Sequence, residues 1–201
     1  MGAVNINLVN PTHYSVAVIK ALDAVKHKLY IPVLWNSSGY EKSESLKALN
    51  GYIDIFLPDL KYVSSDISQK YSGASDYFSY ASVAIKKMFE LVGYPQFDDD
   101  GMMKKGVLVR HLVLPSHVAE SYKVIDHLAE TYDTKQLYVS LMCQYFPTYK
   151  AFEYKEISRK LTTLEYNKVI DHAVKKGITN GFLQERNSAK EEYVPQFYNK
   201  L

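Results

Sequence analysis

The sequence predicts an α/β fold built on a mainly parallel sheet. Two observations carry this: short apolar runs alternate with segments whose apolar residues recur at helical spacing, and the runs stop at turn or helix-start signals. Strands separated by helices join through right-handed crossovers, which makes their sheet parallel.

The elements follow in order. Val4–Val9 reads as a strand ending at Asn10–Pro11–Thr12, a turn and helix start. The helix after it sets Val18, Leu22, Val25 and Leu29 on one face, with Lys20, Lys26 and Lys28 as its polar positions. Ile31–Trp35 is a second strand, closed by Asn36–Ser37–Ser38–Gly39. Ser38 and Glu41 stand at capping-box spacing and predict that the next helix begins there. Ile53–Leu57 is a third strand, ending at Pro58–Asp59, and Lys61–Ser75 is a longer loop with room for a helical turn. A helix covers Tyr77–Val92, with Tyr80, Ala84, Met88 and Leu91 apolar. Asp98–Gly101 is a turn between short extended pieces, because Asp–Gly favours positive φ. Val107–Leu114 is the strongest strand, and Val118, Tyr122, Ile125, Ala129 and Tyr132 mark an amphipathic helix behind it. Leu137–Met142 is a fifth strand. Thr162 and Glu165 form a second capping box, opening a helix to about Lys176 that stops at Gly177. Residues 1–184 thus form one domain, and 185–201 is a polar C-terminal tail.

Composition narrows the function classes. Lys and Arg number 24 against 22 Asp and Glu, so no basic excess marks a nucleic-acid binder. No apolar run approaches the ~20 residues of a membrane helix. The first residues lack a charged region followed by an apolar one, so no signal peptide is read. The expectation is a cytoplasmic protein with neither nucleic acid nor membrane as partner. A single cysteine, Cys143, excludes internal disulfides and any multi-cysteine metal site within the chain, and reads as a small buried hydrophobe. Asp98–Asp100 lacks the alternating oxygens and closing Glu of a calcium loop. The six histidines form no zinc pattern, and there is no Gly-rich phosphate loop or nucleophile elbow. No metal site is expected.

Five strands fit either an open doubly wound sheet or an incomplete barrel, and in both the ligands bind beyond the strands' C-terminal ends. Five places there carry polar groups. Asn10, Thr12 and His13 line a pocket, or Thr12 is a helix N-cap. Asn36, Ser37 and Ser38 do the same, or form a turn and cap. Asp59 and Lys61 emerge from a buried strand on the same side, suited to ribose hydroxyls or a carboxylate, or to a structural ion pair. Arg110 interrupts an apolar run and needs a carboxylate or an anionic ligand, Asp59 being one such partner. His111 faces the other way, toward the helices. Cys143–Tyr145 is the fifth place. On these grounds the chain is an α/β ligand-binding domain or enzyme, with no catalytic residue identified.

Five phrases in order go further: Asn5–Tyr14 (NINLVNPTHY), Ile31–Glu41 (IPVLWNSSGYE), Tyr52–Tyr62 (YIDIFLPDLKY), Gly106–Pro115 (GVLVRHLVLP) and Tyr138–Pro147 (YVSLMCQYFP). Together they resemble a branch of the radical S-adenosylmethionine (SAM) superfamily, the pyruvate formate-lyase-activating enzyme type. The resemblance implies an incomplete TIM-like (β/α) barrel with a parallel sheet, entered here at the second strand and lacking the first βα unit. It implies SAM and a 4Fe–4S cluster as cofactors, the cluster held by a C-x-x-x-C-x-x-C loop upstream, so its ligands are absent from this chain. By position, Thr12 and His13 stand where relatives carry a Gly-Gly-Glu motif that this chain lacks. Asn36 and Ser38 match residues facing the ribose and methionine part of SAM. Asp59 and Lys61 match an Asp-x-Lys near SAM, Arg110 a strand arginine pointing into the barrel, and Gln144–Tyr145 the adenine or ribose contacts. The implied chemistry in the intact protein is reductive cleavage of SAM to a 5′-deoxyadenosyl radical, an oxidoreductase reaction. The implied partner is a glycyl-radical enzyme or another protein substrate. The alternative is a cluster-less, degenerate barrel acting as a ligand-binding or interaction module.

Overall fold

The computed structural model describes residues 2–183, and the tail expected at 185–201 lies outside them. Seven strands form one sheet among these residues: β1 (Ile6–Val9), β2 (Val33–Ser37), β3 (Ile55–Pro58), β4 (Gln96–Phe97), β5 (Met103–Leu112), β6 (Tyr138–Met142) and β7 (Asn180–Leu183). The main path runs β1-β2-β3-β5-β6-β7, every pair on it parallel, and β4 pairs antiparallel with β5.

That order decides between the two architectures. In a doubly wound sheet the strand order reverses at a switch point, sending helices to both faces. Here the order never reverses, so right-handed crossovers deposit every helix on the same side. The result is a sector of a TIM-like barrel in which, among the described residues, one face of the sheet is covered by helices and the other is uncovered.

The burial pattern agrees with this. Val33, Trp35, Phe56, Val107, Val109, His111, Val139 and Leu141 share one parity across the paired strands and are all buried. Of their alternates, Asn36, Leu57, Asp59, Leu108, Arg110 and Tyr138 are only half-buried, while Leu34, Ile55, Ser140 and Met142 are buried. On the covered side lie α1 (Ser15–Val25), α2 (Ser43–Lys47), α3 (Ser65–Ser72), α4 (Tyr77–Val92), α5 (Val118–Thr131) and α6 (Thr163–Lys175). Ala81, Ala84, Ile85 and Met88 of α4 and Val124, Ile125 and Leu128 of α5 pack into one core with Phe56, Val107 and Val109. Each fully buried Phe, Leu or Ile stabilises by roughly 1.5–3 kcal/mol relative to exposure.

Several expectations need correction. Strands β2 and β3 begin two residues later than their apolar runs. β2 also runs past Trp35 to Ser37, because the carbonyls of Asn36 and Ser37 accept from Asn10 N and Asp59 N at 2.8 and 3.0 Å. The segment 61–75 holds a full helix, α3, whose polar sequence hides it but whose C-terminus is closed by Gly73 in the left-handed region. Among the described residues the sheet has seven strands where five were expected: β4 has only two residues and β7 contains a glycine, too little apolar signal for either. The Thr162–Glu165 capping box forms in full. The Ser38–Glu41 box does not: α2 starts at Ser43 with no side-chain cap, because Glu41 is turned into the protein, 4% exposed, where it accepts from Trp35 and Thr12.

Candidate functional site

The C-terminal ends of β2, β3 and β5 converge on one charged group. The ladder beyond β3 continues as a single bridge between Asp59 and Arg110, and Leu60 N donates to Arg110 O at 2.8 Å. In-register parallel residues point the same way, so both side chains stand on the uncovered face. Arg110 Nη2 lies 2.7 Å from Asp59 Oδ1, and Lys61 Nζ lies 3.8 Å from Asp59 Oδ2. The Arg110–Asp59 charges touch without aligned hydrogen bonds: Asp59 Oδ1 and Arg110 Nε are both buried and neither has a hydrogen-bond partner. Two cations therefore share one carboxylate, a local excess of one positive charge with polar atoms still unused.

The frame behind this group is rigid. Tyr77, at the start of α4, shares its hydroxyl proton between Ser38 O (2.9 Å) and Asp59 O (2.8 Å) and accepts from Lys61 N at 3.0 Å. Burial raises the Tyr77 hydroxyl far above its ordinary value, so it remains a neutral clip. Gly39 completes the approach of the two loops. Its φ is +75°, and a Cβ there would sit 2.2 Å from the Asp59 carbonyl oxygen, so only glycine lets the β2 loop lie against the β3 loop.

One residue further along β5, His111 points into the helix layer, as its parity predicts, and is 2% exposed. Nδ1 is 2.8 Å from Leu60 O and Nε2 is 2.8 Å from Ser121 Oγ. A carbonyl only accepts, so Nδ1 carries the proton and Nε2 accepts from the serine. Burial lowers the His111 pKa and holds the ring neutral. Nearby, Glu120 is 4% exposed and accepts from Val63 N and Ser64 N, both at 2.6 Å, anchoring the start of α3. Burial pushes its carboxyl up, but the Ser64 and Val63 donors outweigh it and the net shift is down. Both groups serve the scaffold.

The remaining expected positions are placed unequally. Asn36 falls on the uncovered face one strand from Leu57, half-buried. Ser38 offers its carbonyl to Tyr77. Gln144 is exposed, with its amide 3.8 Å from the Met142 sulfur. Thr12 is not an N-cap: its hydroxyl donates to Glu41 Oε1 at 2.5 Å. His13 is exposed and makes no ion pair or hydrogen bond with the Asp59–Arg110 group. Cys143 is 7% exposed, and among the described residues no cluster of His, Cys, Asp or Glu has a metal-binding arrangement. Sequence reasoning did not find Tyr77, which sits among other apolar positions of a helix. Nor did it find the inward turn of Glu41, which local spacing assigned to a cap.

No family model matches the chain. It is 32% identical over 174 residues to an uncharacterized protein of Methanocaldococcus jannaschii, an alignment covering 85% of this chain and 46% of that protein. The chain thus spans about half the length of the curated relative it matches. Its structure is similar to a domain of pyruvate-formate lyase-activating enzyme from Bacteroides vulgatus, with a TM-score of 0.60 over 92% of this chain and 100% of that domain. The two are 12% identical, so the likeness is one of fold: an α/β sector of a TIM-like barrel. Among the described residues no helix is long and apolar enough to cross a membrane.

Proposed function

We propose that residues 1–184 are the cluster-free sector of a radical SAM barrel of the pyruvate formate-lyase-activating type, and that the uncovered rim holds part of SAM. One observation carries this reading. At the C-terminal rim, where a barrel binds its ligand, Arg110 Nε is buried without a hydrogen bond, and the adjacent Asp59 Oδ1 has only its 2.7 Å ion-pair contact with Arg110 Nη2. Arg110 and Lys61 suit the methionine carboxylate, Asp59 suits the ribose hydroxyls or the ammonium group, and Asn36, Ser38 and Gln144 supply uncharged contacts. Thr12 and His13 lie after β1, the next strand over, and Thr12's hydroxyl is already committed to Glu41.

The cluster does not fit this chain. It requires three thiolates and the sequence contains one cysteine, which is buried. In a longer protein with a cysteine-bearing segment, the reaction proposed is reductive SAM cleavage, acting on a glycyl-radical enzyme or another protein substrate. The single cysteine favours a second reading, a barrel sector that binds a nucleoside or amino-acid ligand without redox chemistry.

Calorimetric titration with SAM tests the rim. Weak binding is expected, reduced roughly tenfold (~1.4 kcal/mol) in Asp59→Ala and in Arg110→Met. Equal affinity in wild type and both variants removes these residues from the site. Fusing a C-x-x-x-C-x-x-C segment in front then separates the readings: 5′-deoxyadenosine formed under dithionite supports the radical SAM reading, and a bound cluster without it supports the second.

A further inference from the structure

A cavity lies on the other side of the sheet from the rim. It has a volume of about 300 Å³ and opens between the Thr12 turn, the β2 loop, α2 and α4. A space of about half that size, about 150 Å³, lined by apolar side chains accepts benzene. Its walls are aromatic and aliphatic: Trp35, Tyr40, Tyr80, Leu46 and Leu49. Tyr40 and Tyr80 meet edge to face at 5.3 Å, and Tyr40's hydroxyl is tied to Asp76 at 2.7 Å, so that wall is fixed.

Glu41 lines the same cavity and is 4% exposed. Its Oε1 is occupied, accepting from Thr12 Oγ1 at 2.5 Å and from Trp35 Nε1 at 2.9 Å. Its Oε2 is buried and accepts nothing. Among the described residues Glu41 has no ion-pair partner. The cation lining the cavity, Lys42, is exposed and forms no bridge to it. A buried carboxylate oxygen without a donor is costly unless a ligand or water supplies one.

From this we propose a ligand site: the cavity binds a small organic ammonium ion with an apolar body, and the Glu41 carboxylate, which lines the cavity, turns Oε2 to accept an N–H from it. The aromatic rings of Trp35, Tyr40 and Tyr80 present faces or edges to such a ligand, and ring faces favour a cation. A bare metal ion is a poor occupant, because one carboxylate oxygen with no second carboxylate, imidazole or thiolate does not make a coordination shell. Lys42 at the mouth decides between two sources of the same chemistry: a simple amine gains nothing from it, whereas an α-amino acid sets its carboxylate against it. This inference does not depend on the SAM reading, since it uses none of the rim residues.

Trp35 is the sole tryptophan, so its emission reports on the cavity directly. The full chain is titrated with phenethylamine, with the neutral isostere phenethyl alcohol, and with phenylalanine. Phenethylamine should shift or quench Trp35 emission saturably, with an affinity at least about tenfold above the alcohol (1.4 kcal/mol is tenfold). Phenylalanine binding more tightly than phenethylamine, with that gain lost in Lys42→Gln, assigns the amino-acid source. Phenethylamine binding more tightly assigns the simple amine. In Glu41→Gln the preference for the amine should vanish. Should that variant fail to fold, Ser45→Trp decides in its place, read by ligand-observed NMR because it adds a second tryptophan. Ser45 is exposed, lines the cavity and is not among the hydrogen-bond donors to the Glu41 carboxylate, so the fold should persist while amine binding is lost. Absent binding, or equal binding of amine and alcohol, overturns the proposal and leaves Glu41 a water-satisfied strut.

Discussion

Two adjacent residues of β5, one on each face of the sheet, handle their polar atoms in opposite ways. On the helix-covered face the buried strand residue His111 has both nitrogens bonded and almost no exposure. On the uncovered face its immediate neighbour, Arg110, meets Asp59 at 2.7 Å yet leaves Nε and Asp59 Oδ1 without hydrogen bonds. The two residues are adjacent in sequence and differ only in the direction the pleat sends them. His111 serves the scaffold and is fully satisfied, because an unmade bond at such a buried site costs about 1–3 kcal/mol. Polar groups that retain unused capacity beside solvent are the ones equipped to take a ligand.

The largest test of this contrast is apolar. Phe56, on the covered face, is 0% exposed, and Phe56→Ala should cost about 3–5 kcal/mol by chemical denaturation. Leu57, its half-buried neighbour on the uncovered face, should lose only about 1–2 kcal/mol as Leu57→Ala. Comparable losses would mean that both faces are packed alike, and the distinction collapses.

His111→Ala sharpens the polar half of the comparison. It strands Leu60 O and Ser121 Oγ, for an expected loss of about 1–3 kcal/mol near neutral pH. The sign with pH follows from burial, which lowers the folded-state pKa of His111 below its ordinary 6.5. Below that value the unfolded chain takes up a proton that the folded chain refuses. The neutral histidine's contribution is therefore fully present above pH 6.5 and is lost as pH falls toward the folded pKa. The gap between wild type and variant should narrow as pH drops through this window, and a gap that stays constant on acidification would show that the ring does not titrate as its burial requires.

Arg110→Met should produce the smallest change in stability, about 1 kcal/mol or less, because the pair is partly solvated and Lys61 remains to offset Asp59. Its effect should appear in ligand binding instead. A loss above about 3 kcal/mol, the range for breaking a fully buried pair, would class Arg110 with His111 as scaffold and remove the contrast at its centre.

The sequence by itself determined the α/β class, all five strong strands, the span of α4 and the facing of Arg110 and His111. These are set by short-range physics: apolar periodicity and the two-residue pleat act within a few residues. The Thr162–Glu165 capping box was legible for the same reason, since all its bonds are local. The identically spaced Ser38–Glu41 pair was misread because Trp35 and Thr12, brought in by β2 and the β1 loop, outbid the local cap for Glu41's carboxylate. Tertiary structure alone decided that the strand order never reverses, which makes a barrel sector of what spacing left as two architectures. It alone placed Tyr77 across the ends of β2 and β3, and it alone enclosed the cavity beside Glu41. Such features join residues tens of positions apart, and no periodicity along the chain encodes which distant partner a side chain will meet.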